Sequence, residues 1–256
     1  MRAVLMAGGE GTRLRPLTLT RPKALVEVGG VPLLEHLLAL LVGHGVRQVA
    51  INLHYLPDAI VEFAGDGSAW GLQLTYLREQ LHLLGSGGTL RALADFLTEP
   101  FFLLYGDVLT DADLTALTRE HQARRAALTC LLHHVPDPWT KGVADLAPDG
   151  RLRRFVEKPP RGSEPGDLVA AGIYVVDPAL LAVIPDVLPC DFGSDVVPAA
   201  LAAGLAVYGQ VATTAIYICD IGTHAALAAA EADVLARRVR LLRRDPPHPG
   251  ILVPGG

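Results

Sequence analysis

Ala7-Gly8-Gly9-Glu10-Gly11-Thr12-Arg13-Leu14-Arg15-Pro16-Leu17 follows directly on a short apolar run, Val4 to Ala7, and leads into Arg21-Pro22-Lys23. An apolar run that breaks into glycines predicts a strand that ends in a loop, where bare backbone N–H groups come close to a ligand. A glycine pair alone reads as a tight turn with a solvated rim. Arg13, Arg15 and Lys23 change that reading by adding the cations that neutralise phosphates. The stretch predicts a polyphosphate cradle built from Ala7, Gly8, Gly9, Gly11, Thr12 and Arg13. Its spacing is not the dinucleotide pattern GxGxxG, whose third glycine is missing, and it lacks the GK[ST] ending of a P-loop.

Outward from the loop, Leu33, Leu34, Leu37, Leu38 and Leu41 fall at helical spacing within Pro32 to Val42 and predict a helix with one apolar face. Next come a strand near Gln48 to Leu53, a helix opening at Pro57 and Asp58, and a strand near Leu72 to Leu77. A helix from about Gly88 to Leu97 and an apolar strand, Phe101 to Tyr105, complete this half. Strands alternating with helices predict an α/β fold: a Rossmann-like, mixed, mostly parallel sheet flanked by helices, with ligands at the carboxyl ends of the strands.

After about Ala126 the strands come closer together: Ala127 to His134, Val143 to Leu146, Leu152 to Val156 and Ala171 to Val176, with a turn at Pro148-Asp149-Gly150. They predict a smaller antiparallel lobe. The Ala-rich run from His224 to about Arg244 predicts a terminal helix, stopped by Pro246-Pro247-His248-Pro249. The expected organisation is one main domain over 1–230, with halves at 1–125 and 126–223, and a C-terminal helix and Pro-rich tail over 224–256.

Half of the 256 residues are hydrophobic and 19% are charged, a globular composition. The formal net charge of −5 gives no long-range pull on nucleic acid or an anionic membrane, so phosphate chemistry here must rely on local cations and favours a small phosphorylated substrate. Neither nucleic acid nor a membrane is expected as a partner. Cys130, Cys190 and Cys219 are an odd number without a close pair, which suggests neither a disulfide framework nor a CxxC metal site. With no apolar run near the roughly 18 residues of a membrane span, the expected location is cytoplasmic. His133 and His134 are adjacent, so on a strand they face opposite ways and cannot both hold one ion.

GGxGTRLxPLT followed by PK resembles the signature of the sugar-1-phosphate nucleotidylyltransferases, and the resemblance continues in order along residues 1 to 230. Leu84-Gly85-Ser86-Gly87-Gly88-Thr89-Leu90 is similar to the family's LGTAGAL, and Tyr105-Gly106-Asp107-Val108 to its GD motif. Phe155-Val156-Glu157-Lys158-Pro159, Ala171-Gly172-Ile173-Tyr174 and Asp220-Ile221-Gly222-Thr223 follow. The resemblance implies an enzyme that joins a nucleoside triphosphate to a sugar 1-phosphate with Mg²⁺ and releases pyrophosphate. Asp107 and Asp220 would hold the metal, a role that suits a cation taking few protein ligands. Arg13, Lys23 and Lys158 would be the catalytic cations. Gly85, Ser86 and Gln80 would join the nucleotide site, while Gly142, Glu157, Lys158 and Gly172 would bind the sugar phosphate. The resemblance leaves a homo-oligomer open.

Gly85-Ser86-Gly87-Gly88 together with the run Gly106 to Asp111 looks closest to guanylyltransferases of mannose or heptose 1-phosphate, which favours GTP; dTTP, UTP or ATP with glucose 1-phosphate is the alternative. Ala170 stands where many relatives carry Asn, and Ile218 where many carry Trp, so an unusual sugar phosphate is also compatible. The competing class is a non-catalytic nucleotide-sugar sensor on the same fold, which would not need all five charge-handling residues. A dinucleotide-dependent oxidoreductase shares the βα opening but not the glycine spacing.

Overall fold

In the computed structural model, which describes residues 1–79 and 83–242, the apolar run ahead of the glycine loop is strand β1 (Arg2–Met6). It is followed by the short strands β2 (Glu27–Val28) and β3 (Val31–Pro32), helix α1 (Leu33–Gly43), strand β4 (Gln48–Leu53), helix α2 (Pro57–Ala64) and strand β5 (Gln73–Arg78). Helix α3 (Gly85–Ala92), strands β6 (Phe101–Tyr105) and β7 (Val108–Thr110), and helix α4 (Leu114–Arg124) come next. Strands β8 (Leu128–His134), β9 (Gly142–Leu146), β10 (Leu152–Glu157) and β11 (Leu168–Val176) precede helix α5 (Val197–Ala202). Strands β12 (Val207–Val211) and β13 (Ile218–Asp220) and helix α6 (His224–Leu235) complete the order. The fold is α/β with a mixed sheet flanked by helices, as the alternation of strand and helix patterns predicts.

Two compact units interleave along the chain. The glycine-loop unit comprises Leu5–Arg78, Tyr105–Asp113 and the chain from Ile216 onward; the hairpin unit comprises Met1–Val4, Glu79–Leu104 and Leu114–Ala215. In the glycine-loop unit the end of β1 precedes β4 and β5 in the sheet, and β4 and β5 pair in parallel from Gln48 with Gln73 to Leu53 with Arg78. Strands β7 and β13 form a separate antiparallel ribbon in which Asp220 faces Val108.

Helix α1 departs from the expected single apolar face: every residue from Leu33 to Leu41 is buried, Glu35 and His36 included. Strands β3 and β7 and the turns at 23–25 and 68–70 surround it. Of its polar residues, His36 places Nε2 3.0 Å from the Val28 carbonyl oxygen. Periodicity reports which residues are apolar, not how many neighbours cover the rest.

An apolar cluster in this unit unites Leu14, Val26, Val28, Leu33, Leu109, Ile221, Leu227 and Ala230. Its members explain how four of the candidate site residues are placed. Arg13 precedes Leu14, Lys23 lies three residues before Val26, Asp107 two before Leu109, and Asp220 directly before Ile221. Each polar side chain is thus tied to a neighbouring anchor whose burial stabilises by roughly 1.5–3 kcal/mol.

In the hairpin unit the sheet order is β10-β9-β11-β6 followed by the start of β1, with β8 also paired to β11 and β12 parallel to β8. Strands β10 and β9 are antiparallel, as are β11 and its partners β6, β8 and β9. The turn after β9 carries Gly150 at φ +83°. Helix α3 opens at Gly85 rather than Gly88, where the Cys190 carbonyl accepts the Gly87 and Gly88 amides at 2.8 and 3.2 Å and caps the helix start, and it ends at Ala92 rather than Leu97.

Helix α6 stops at Leu235 rather than near Arg244. Arg237 takes φ +56° and the Arg238 amide turns back to the Asp233 carbonyl at 2.9 Å, so a helix-ending turn prevails over Ala-rich propensity. Arg243, Arg244 and the Pro-rich stop lie outside the described residues. Among the described residues Cys130, Cys190 and Cys219 form no disulfide; the first two are buried and the third half-buried. No helix among the described residues is long and apolar enough to cross a membrane.

Candidate active site

The glycine loop is supported from beneath. The Ala7 amide donates to Asn52 Oδ1 at 2.7 Å, and a Cβ on Gly8 would lie 3.0 Å from Asn52 Nδ2. Gly11 has φ +64°, and a Cβ there would press on Thr18 and Lys23. Thr18 Oγ1 donates to the Gly11 carbonyl at 2.8 Å, and Tyr55 in turn donates to the Thr18 carbonyl at 2.8 Å. Side-chain growth at Gly8 or Gly11 is therefore crowded, and strained at Gly11 by its positive φ, while Gly9 faces open space and Thr12 and Arg13 are exposed on a short 3₁₀ turn. Arg15 pairs with Glu10 at 3.3 Å on the surface, a contact of little energetic weight. Asn52, Thr18 and Tyr55 carry no sequence signal of this role, since each acts only through the folded loop.

In the same unit Lys23 Nζ lies 2.5 Å from Asp107 Oδ2 and 3.8 Å from Asp220 Oδ1. The Ile221 amide donates to the Asp107 carbonyl at 2.8 Å, which holds the two aspartate-bearing segments together. A Cβ on Gly222 would lie 2.9 Å from both Asp220 Oδ1 and Arg13 Nη2, so the guanidinium and the carboxylate approach the same bare glycine. Arg13, Lys23, Asp107 and Asp220 thus form one constellation. Two carboxylates converging on a single cationic nitrogen are hard oxygen donors of the kind that suit Mg²⁺. Among the described residues no group of three His, Cys, Asp or Glu side chains gathers around one point. As hard oxygen donors, Asp107 and Asp220 fit an ion that takes two protein carboxylates and completes its shell with water and phosphate oxygens.

The hairpin unit holds the second constellation. Glu157, the last residue of β10, pairs across the hairpin with Gly142. A Cβ on Gly142 would lie 2.7 Å from Glu157 Oε2, and one on Gly193 would lie 2.5 Å from the same oxygen. Two glycines therefore clasp the Glu157 carboxylate where any side chain would displace it. Burial pushes its pKa up; the Lys158 ammonium pulls it back down, the Asp191 carboxylate adds to the rise, and Lys141 opposes it.

Lys158 has φ +45°, a conformation costing about 1–3 kcal/mol for a non-glycine residue. Its amide donates to the Lys141 carbonyl at 3.0 Å, and its exposed Nζ lies 3.4 Å from Glu157 Oε1. Gly172 has φ +72° inside β11, where the register against β8 shifts between Ala170 and Tyr174. A left-handed residue in a strand is a bulge position that glycine fills without strain.

Gly85 and Ser86 are engaged within the hairpin unit. Gly85, at φ +77°, backs onto Cys190 so closely that a Cβ would lie 2.8 Å from its backbone nitrogen. Ser86 Oγ donates to Asp191 Oδ2 at 3.0 Å and accepts the Phe192 amide at 2.8 Å. Asp191 Oδ1 accepts the Gly193 and Ser194 amides, each at 2.9 Å. Asp191 and Gly193 escape a reading of the sequence, although Asp191-Phe192-Gly193-Ser194 has the composition of a helix cap. Gln80, assigned to the base by resemblance, lies outside the described residues. His134 Nδ1 lies 2.9 Å from Asp167 Oδ1, and burial pushes His133 down to about 4, so the two histidines go separate ways.

Residues 2–237 match the family model described as Nucleotidyl transferase. The chain is 38% identical over 223 residues to a mannose-1-phosphate guanylyltransferase of Mycobacterium tuberculosis, covering 86% of this chain and 61% of that protein. It is 33% identical to a UTP--glucose-1-phosphate uridylyltransferase of Synechocystis, covering 81% of this chain and 57% of that one. The chain thus spans about three fifths of the length of these relatives. A crystal structure described as a glucose-1-phosphate thymidylyltransferase of Bacillus anthracis, in complex with a sucrose, superposes with a TM-score of 0.82 at 25% identity. That match covers 94% of this chain and 97% of that one. With the family model spanning nearly the whole chain, the protein belongs to the nucleotidyl transferase family.

Proposed function

We propose that this protein transfers a nucleotidyl group from a nucleoside triphosphate, GTP by preference, to a sugar 1-phosphate with the help of Mg²⁺. The observation that carries the reading is Lys23 set between Asp107 and Asp220, at 2.5 and 3.8 Å, with Arg13 approaching the same glycine as Asp220. The reaction needs no protein nucleophile. A phosphate oxygen of the sugar 1-phosphate forms a bond to the α-phosphorus, the bond from that phosphorus to the bridging β-oxygen breaks, and pyrophosphate leaves with the electron pair. Positioning and charge neutralisation supply most of the acceleration in such a displacement.

Arg13 is assigned to the leaving β and γ phosphates and Lys23 to the α-phosphate region. Gly8, Gly9, Gly11 and Thr12 form the loop over the triphosphate. Lys158 binds the nucleophilic phosphate, and Glu157 accepts sugar hydroxyls, with Gly142 and Gly172 allowing close approach. Asp107 and Asp220 would hold Mg²⁺, which when bound polarises the α-phosphate and screens repulsion between the anionic reactants. The preference for GTP is supported by the relative named for guanylyl transfer. Uridylyl or thymidylyl transfer to glucose 1-phosphate is the second reading, favoured by the names of the other two similar proteins.

The experiment is pyrophosphate release with Mg²⁺, crossing GTP, ATP, UTP, CTP and dTTP against mannose, glucose and heptose 1-phosphates. One dominant pair containing GTP, silenced by EDTA, is the expected result. A folded protein silent across the whole grid would instead point to an unusual sugar phosphate or to the sensor.

A further inference from the structure

Asp111 sits four residues beyond Asp107, at the opposite end of the β7–β13 ribbon, and its side chain is only 3% exposed. It has no part in the chemistry assigned above, yet both of its oxygens are used. Oδ1 accepts the Tyr217 amide at 2.7 Å, and Oδ2 accepts the Arg240 amide at 3.1 Å. Tyr217 immediately precedes β13. Its carbonyl accepts Thr110 Oγ1 at 2.7 Å and the Asp111 amide at 3.4 Å. At the other end the ribbon is closed by the Ile221 amide on the Asp107 carbonyl.

Between these closures the ribbon pairs only Ile218 with Thr110, Cys219 with Leu109 and Asp220 with Val108. So short a two-stranded ribbon is marginal by itself, and a slip of one residue would turn Asp220 to the opposite face. A carboxylate can accept two N–H donors with charge-assisted strength; an amide in its place would present its own N–H₂ to one of them. The segment beyond α6 is drawn into the same closure. Asp233 accepts from the Tyr217 hydroxyl at 3.1 Å and from Arg238 at 2.8 Å, which brings the chain round to Arg240.

We propose that Asp111 is a positioning residue. By bridging Tyr217 and Arg240 it fixes the register that sets Asp220 beside Asp107 and Lys23, and it makes the segment after α6 part of that register. The functional consequence rests on the reading of Asp107 and Asp220 as metal-holding carboxylates; the structural one does not.

The test combines amide hydrogen exchange at Ile221 with the Mg²⁺ dependence of turnover in Asp111→Ala, Asp111→Asn and Thr110→Val. In Asp111→Ala, Ile221 is expected to lose about tenfold in protection, and the Mg²⁺ concentration for half activity to rise about tenfold, while β4 amides stay protected. Asp111→Asn keeps one acceptor and falls between that variant and the unaltered protein. Thr110→Val moves both readouts in the same direction and carries the test should Asp111→Ala not fold. Unchanged Ile221 protection in a folded Asp111→Ala or Thr110→Val protein overturns the proposal, because a merely local role would expose only Tyr217 and Arg240. Unchanged Mg²⁺ dependence in Asp107→Asn and Asp220→Asn would instead remove the metal reading, and Ile221 exchange would still decide the register.

Discussion

Glu157 shows how an environment sets the working range of a single residue. Burial raises its pKa above the ordinary value, about 4.3 for a glutamate, with Lys158 acting against that rise and Asp191 adding to it. Ionised, it offers two acceptor oxygens to sugar hydroxyls; protonated, it gives up part of that capacity. Binding of the sugar 1-phosphate should therefore weaken as pH falls through the raised value. The effect on stability has the opposite sign. The fold disfavours the ionised form, so Glu157 costs stability as pH rises through the same range. KM for the sugar 1-phosphate, measured from pH 4.5 to 8, should rise more steeply toward acid in the unaltered protein than in Glu157→Gln; superimposable profiles would take Glu157 out of sugar binding. Lys23, held by two carboxylates, belongs to the other constellation. Lys23→Ala should lower kcat by roughly 100- to 1,000-fold with an unchanged circular dichroism spectrum, and near-normal turnover would exclude Lys23 from the mechanism.

At the scale of an element, the segment Asp191 to Asp195 matters through its backbone. Its amides are gathered on the Asp191 carboxylate and Ser86 hydroxyl, and this brings the Gly193 Cα against the Glu157 carboxylate. Gly193→Ala inserts a methyl group where only 2.5 Å is available to Glu157 Oε2. The expected outcome is an increase of about 10- to 100-fold in KM for the sugar 1-phosphate, with KM for the nucleotide little changed. Equal effects on both substrates would mean that the segment supports the fold at large and not the sugar site. Helix α3 belongs to the same account: its glycines admit the Cys190 backbone, and a helix made of ordinary residues could not begin there.

For the whole molecule, acid sensitivity follows from histidines that the fold keeps neutral. Burial, reinforced by Lys141 and His134, pushes His133 down to about 4, and burial also lowers His121. An unfolded chain protonates its histidines near 6.5, so between about pH 6.5 and 4 it takes up protons that the folded chain refuses, and stability falls as pH falls. The urea midpoint should drop from pH 7 to pH 5, and His133→Gln should shrink that drop; an equal drop in the variant would assign the acid loss to other groups.

The residues to which the proposed chemistry is assigned are legible from motif and local composition. The glycines after β1, the cations that follow them, and Asp107 and Asp220 next to apolar neighbours all depend on interactions short in sequence. The strand and helix patterns are legible for the same reason, since hydrophobic period and turn residues act within a few positions. What the tertiary structure alone decided are the long-range partners. Lys23 meets Asp107 across 84 positions, and Ser86 bonds Asp191 across 105. Gly193 closes on Glu157, α1 is covered on its polar side as well, and α3 begins where the distant Cys190 carbonyl takes its amides. No local pattern encodes such a partner, because a hydrogen bond or close approach between distant segments exists only once the packed core has brought them together.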